Sequence, residues 1–259
     1  MEENSLVQKL SAEALGTAVL VFIGAGSVPA LALARSGGKA PFTGAELFAI
    51  AAAFGFAVIA MVYSIGKVSG CHINPAVTLS LAVTRRMPWN QAVPYVIAQC
   101  AGATIGALAI WGVFAHKVHE FGVGHVSYAS NTSIGSAMLN EGLGTAILVF
   151  TVIGVVDKRG GAELLAGLVI GLIVVGVIIT VGPQTGAAIN PARYTGTLLT
   201  SQLAGLNPDW SQVWVYWAAD VAGGLLGIFA YDVIASPRVQ LSKVADVPTA
   251  EPTAVQSRA

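Results

Sequence analysis

The chain is poor in charge. Of its 259 residues only 13 are Lys or Arg and 13 are Asp or Glu, 10% in all, where soluble domains carry about 25%. The balance is zero and no basic run occurs, which excludes a nucleic-acid partner. Cys71 and Cys100 are the whole cysteine complement, too few for a disulfide scaffold. No Ser–His–Asp order, His-Glu-x-x-His or phosphate-cradling glycine loop is present, so enzymatic, cofactor and metal readings have nothing to rest on. What the chain does have is apolar residues, 55% of the total, with a mean hydropathy of +0.73. That excludes disorder over most of the length, and an ordinary water-facing globule would need polar helix faces that are missing.

A helix crossing about 30 Å of hydrocarbon needs about 20 mostly apolar residues. Six such runs lie near 10–34, 45–66, 90–114, 136–156, 163–182 and 211–235. The first could be a signal peptide, since Ala30-Leu31-Ala32 resembles a cleavage site, but its near-copy recurs mid-chain, where no signal sits. Six spans put both ends on one side. That side would hold Lys9, Lys67, Arg85, Arg86, Lys158, Arg159, Arg238, Lys243 and Arg258, against Arg35, Lys39 and Lys117 opposite. The positive-inside bias therefore predicts cytoplasmic termini. The expected organisation is a cytoplasmic segment 1–9, a channel domain 10–235, and a disordered tail 236–259.

Residues 13–22, EALGTAVLVF, return as EGLGTAILVF at 141–150, and Ile73-Asn74-Pro75-Ala76 returns as Ile189-Asn190-Pro191-Ala192. Two three-span copies, about 10–114 and 136–235, must lie in opposite orientations because three is odd. Such inverted repeats place a pathway at the membrane midplane between the halves.

In each copy a Gly-containing polar stretch leads into Asn-Pro-Ala and then about ten apolar residues, Asn74 to Val83 and Asn190 to Leu199. At 1.5 Å per residue these cover half a membrane. Asn suits the N-cap and Pro the first turn. The spacing thus predicts two re-entrant half-helices meeting N-terminus to N-terminus, with partial positive charge that opposes cations and protons. Asn74 and Asn190 would offer amide donors there. Gly70, Cys71, His72, Ile73, Gly186, Ala188 and Ile189 would present carbonyls along the approaches, because non-helical backbone at this depth must line water or be buried in protein. Donors at the centre and acceptors beside it suit small neutral hydrogen-bonding solutes. A secondary transporter also uses inverted repeats and broken helices, but it needs titrating acids or ion ligands where this chain has Asn.

The segments Ser69-Gly70-Cys71-His72-Ile73-Asn74-Pro75-Ala76-Val77-Thr78 and Gly186-Ala187-Ala188-Ile189-Asn190-Pro191-Ala192-Arg193 resemble those of the aquaporin (major intrinsic protein) family, most closely its archaeal and bacterial members, over about residues 8–235. The resemblance implies an all-α membrane protein: six transmembrane helices plus two half-helices, one water-conducting path per subunit, and a homotetramer in lipid. It implies a selectivity filter of Phe54, Ile178, Ala187 and Arg193. Arg193 would donate to permeants and repel cations, an intramembrane Arg being costly unless used. Ile178 departs from the His often found in strict water channels, while Phe54 and Tyr194 differ from the glycerol-conducting pattern. Water is the expected solute, with glycerol or similar solutes as the open alternative.

The resemblance also makes Glu13 and Glu141 structural acceptors for the re-entrant backbone rather than a proton relay. Cys71 mirrors Ala187 and would line the cytoplasmic approach. The loop histidines His116, His119 and His125 read as solvated, and Asp220 has no evident partner.

Overall fold

The computed structural model describes residues 4–35, 42–157 and 163–235. Lys39, Lys158, Arg159, Arg238, Lys243 and Arg258 of the charge-bias reading, and the expected disordered tail 236–259, lie outside them.

Every regular element among the described residues is helical. The first span, α1 (Leu6–Ala34), starts at Ser5, whose hydroxyl accepts from Gln8 N while the Gln8 side chain accepts from Ser5 N. It passes through one π-turn at Val21–Ala25, just before Pro29 withholds its backbone donor. α2 (Gly44–Ser69) opens with the same reciprocal cap between Thr43 and Glu46 and stops at Gly70, whose φ of +90° ends the helix. The short α3 (Pro75–Val83) follows, then α4 (Trp89–Phe121). α5 (Ile134–Val156) and α6 (Ala166–Thr185) repeat α1 and α2, and α6 stops at Gly186 with φ +80°. α7 (Pro191–Leu203) and α8 (Val213–Ala235) complete the second set. Six of the eight are long and apolar enough to cross a membrane.

The expected spans match to within a few residues. The exceptions have local causes. α4 runs past 114 through a 3₁₀ turn to Phe121. The stretch from 163 begins as a 3₁₀ turn, so α6 proper starts at Ala166. α7 continues to Leu203, four residues past its expected end, and Thr200 and Ser201 in that extension are buried.

Packing reproduces the repeat. α1 packs on α4 as α5 packs on α8, α1 on α2 as α5 on α6, and α4 on α7 as α8 on α3; α2 against α6 joins the halves. The close pairs meet at glycine. A Cβ on Gly102 or Gly106 would stand 2.0 or 2.4 Å from the carbonyl oxygens of Ala14 or Ala18. On Gly223 or Gly227 it would stand 2.2 or 2.4 Å from those of Gly142 or Ala146. With no hydrophobic force between helices in lipid, such backbone approach supplies the packing. Gly102→Ala or Gly223→Ala is therefore expected to force the pairs apart, costing roughly 1–3 kcal/mol and lowering the thermal midpoint of purified protein. Gly112→Ala, whose Cβ would meet nothing within 4 Å, should leave it unchanged or slightly raised.

Candidate functional site: two half-helix tips around a cavity

The segments Gly70–Asn74 and Gly186–Asn190 carry the same unusual backbone. Cys71 and Ile73 have φ of 51° and 43°; Ala187 and Ile189 have 47° and 41°. A β-branched residue in the left-handed region is strained, at about 1–3 kcal/mol, and here it occurs twice in matched places. Each isoleucine is clamped on both sides. Ile73 N donates to Glu13 Oε2 at 2.6 Å, and Ile73 O accepts from Asn190 Nδ2 at 2.8 Å. Ile189 N donates to Glu141 Oε2 at 2.7 Å, and Ile189 O accepts from Asn74 Nδ2 at 2.8 Å.

The asparagines do three things. Asn74 Oδ1 accepts from Ala76 N at 2.9 Å, and Asn190 Oδ1 accepts from Ala192 N and Arg193 N at 3.0 and 3.2 Å, capping the half-helices. One N–H of each amide goes to the opposite tip, as given above. The other N–H of each remains for whatever enters the cavity. Pro75 and Pro191 hold the first helical position, and Ala76 and Ala192 are fully buried behind them.

Glu13, fully buried, accepts from Ser69 Oγ (2.6 Å), His72 N (2.9 Å), Ile73 N and Gln99 Nε2 (2.8 Å). Glu141 accepts from Ala188 N (3.0 Å) and Ile189 N, and from Thr185. Each carboxylate accepts two backbone N–H groups of the segment it holds, the arrangement of a scaffold for that backbone.

A cavity of about 280 Å³ runs past both tips. Asn74, Asn190, Phe54, Ile178, Ala187 and Arg193 all line it. Arg193 is only 2% exposed, its Cζ lies 5.3 Å from the Phe54 ring centre, and its Nε and Nη1 have no protein partner. A buried guanidinium left with spare donors is equipped to bind what passes. Phe54 reaches this point because Gly24 leaves room for it: a Cβ there would sit 2.3 Å from the ring. Ile178 and Ala187 share a wall with Gly182, whose added Cβ would touch both. Beyond the tips the walls are apolar, including Val58, Val77, Leu148 and Val152.

Gly70, Cys71, His72, Ile73, Ala188 and Ile189 line the cavity, and Val126 lies against the Cα of Gly186, where an added Cβ would stand 2.4 Å from it. The carbonyls of Ile73 and Ile189 each accept the opposite amide and keep a second lone pair.

His125 departs from expectation. His116 and His119 are exposed, but His125 packs edge-on against Tyr194 at 5.1 Å, with Nδ1 3.4 Å from Thr197 Oγ1 and Nε2 buried without a partner. Hydropathy cannot reveal this, because what buries the ring is the loop's fold over α7. Glu13's partners Gln99 and Ser69 were likewise hidden, being far apart in sequence.

Two tips joined by reciprocal amide bonds beside an arginine-lined cavity, within an inverted helical repeat, define a membrane channel of the re-entrant-helix class. A family profile described as "Major intrinsic protein" matches residues 1–231. Aquaporin AqpM of Methanothermobacter marburgensis is 37% identical over 245 residues, covering 90% of this chain and 99% of that protein. Aquaporin Z of Bradyrhizobium diazoefficiens is 37% identical over 236 residues, covering 87% and 92%. Among solved structures, the aquaglyceroporin from Plasmodium falciparum superposes with a TM-score of 0.76 at 25% identity, over 93% of this chain and 100% of that one. The chain belongs to the major intrinsic protein family. It is a multi-pass membrane protein of a family of channels for water and small solutes, not of enzymes.

Burial and the nearby Arg193 charge push the His125 imidazole down from 6.5 to about 4. Between those values the unfolded chain binds a proton that the folded chain refuses, so stability present above pH 6.5 is lost as pH falls toward 4. The loss from this group amounts to roughly 3 kcal/mol at most. Thermal midpoints measured from pH 7 to pH 4 should fall less steeply for His125→Asn than for the wild type.

Proposed function

We propose that the protein is a passive channel for water that also passes small neutral solutes and excludes ions and protons. The observation that carries this reading is the crossed amide bonding at the half-helix tips: each asparagine spends one N–H on the opposite carbonyl and keeps one for a permeant. A water molecule there meets two donors and two positive helix ends, so it turns its oxygen to both and cannot pass a proton along a continuous donor chain. Phe54, Ile178, Ala187 and Arg193 form the filter, with Arg193 supplying donors and a positive charge that repels cations. Glu13 and Glu141 hold the backbone carbonyls of the approaches in place. The channel unit spans residues 10–235, both termini are cytoplasmic, and the functional assembly is a homotetramer.

Ile178 supports the wider solute range. An apolar corner beside small Ala187 leaves room and offers no polar competitor for a solute hydroxyl, which favours glycerol passage beside water. In proteoliposomes followed by light scattering, the wild type should accelerate osmotic shrinkage with a low activation energy, no saturation and no ion dependence. Ile178→His is expected to cut the glycerol-to-water permeability ratio by roughly tenfold. A ratio unmoved by that change removes Ile178 from the filter, and shrinkage no faster than in empty vesicles ends the channel reading.

Cys71 lies on the same cavity as the filter residues, at the tip opposite Ala187. A mercurial should therefore slow wild-type water flux, and Cys71→Ser should protect against it while Cys100→Ser should not.

A further inference from the structure

Among the buried positions at which the two repeats differ, one faces a buried glutamate. In the first repeat Tyr95 donates to Ser69 O at 2.9 Å, and four residues on, Gln99 donates to Glu13. In the second, Tyr216 donates to Thr185 O at 2.8 Å, and four residues on stands Asp220. Gly102 and Gly223, three residues later still, make the same backbone contact with the paired helix. The register thus places Asp220 where the other half has an amide that gives a hydrogen bond to the buried glutamate.

An ionised aspartate has no hydrogen to give. Asp220 is fully buried; its Oδ1 accepts from Thr145 Oγ1 at 3.2 Å and its Oδ2 has no donor. The Glu141 carboxyl stands within hydrogen-bonding reach of it. Glu141 must keep acceptor oxygens for Ala188 N and Ile189 N. Other charged or titratable groups around the pair are Arg193 and Tyr194 on α7 and Tyr216 on α8 itself; α3, also packed on α8, carries none. Two carboxylates and one guanidinium would leave an uncompensated negative charge on fully buried groups, which proteins avoid by binding a proton. One proton between the acids turns repulsion into a charge-assisted bond and leaves one net negative charge facing Arg193.

We propose that Asp220 and Glu141 form a proton-holding site: one proton, carried by Asp220 and donated to Glu141, makes Asp220 a positioning residue for the second re-entrant segment. Asp220 does there as a neutral acid what Gln99 does as an amide. Through Glu141 it fixes Ala188, Ile189 and the start of α7, from which Arg193 projects. The effect on permeation rests on the channel reading above; the proton itself does not.

The test uses the full-length purified protein. Infrared spectra of the wild type should contain a protonated-carboxyl C=O band that shifts in deuterium oxide and is absent from Asp220→Asn. Because Asn supplies the same donor, Asp220→Asn should keep its thermal midpoint and should keep water permeability to within about twofold. Asp220→Ala, which leaves Glu141 short of a donor, should lose on the order of 5 °C in thermal midpoint. A carboxyl band unchanged in Asp220→Asn overturns the proposal, as does an Asn variant as unstable as the Ala variant or an Ala variant as stable as the wild type. Failure of the channel reading would show instead as absent flux in the wild type, with band and midpoints as expected.

Discussion

Ile73 and Ile189 sit in backbone that β-branched residues avoid, and the geometry of the site follows from what keeps them there. A buried carboxylate takes the N–H of each, and the amide of the opposite asparagine reaches its carbonyl. Hydrogen bonds to a charged group are worth about 1.5–3 kcal/mol each when buried, enough to offset the strain of one left-handed isoleucine. Because the clamp is reciprocal, neither tip is fixed without the other. The two half-helices are in effect one structure built from both halves of the chain.

That constraint explains the distribution of polar groups. Charge is scarce overall, yet Glu13, Glu141, Asp220 and Arg193 are buried together with Gln99 and several hydroxyls. They form two networks, one behind each re-entrant segment, away from the lipid face. Water cannot satisfy backbone at this depth, so side chains must. The cavity is left with little polarity of its own: two spare amide hydrogens, the Arg193 donors and a few carbonyls, set in apolar walls. A conduit with few, well-separated binding groups holds a neutral solute weakly, and weak holding is what fast passive flow requires.

The glycines have a matching role. Gly102, Gly106, Gly223 and Gly227 bring helix backbones together, while Gly70 and Gly186 let α2 and α6 end in a turn. Close backbone packing fixes the outer helices rigidly, and the networks then hold the tips against that frame. The fit of the aquaglyceroporin from Plasmodium falciparum, at a TM-score of 0.76 with 25% identity, is consistent with an architecture kept by such contacts rather than by particular apolar residues.

The six spans, their order and the inverted repeat were all legible in the sequence, because run length and self-similarity are local properties of the string. So were the half-helices, since Asn at a cap followed by Pro states its own geometry. Hydropathy could place His125 only in a loop, and only the fold of that loop over α7 buried it beside Arg193. Likewise Asp220 was an unexplained acid until packing set it against Glu141. The string states which residues repeat and where chain direction breaks. Which polar atoms meet across long separations is decided by helix contacts, because at membrane depth irregular backbone must find its partners within the protein, and only the fold brings them near.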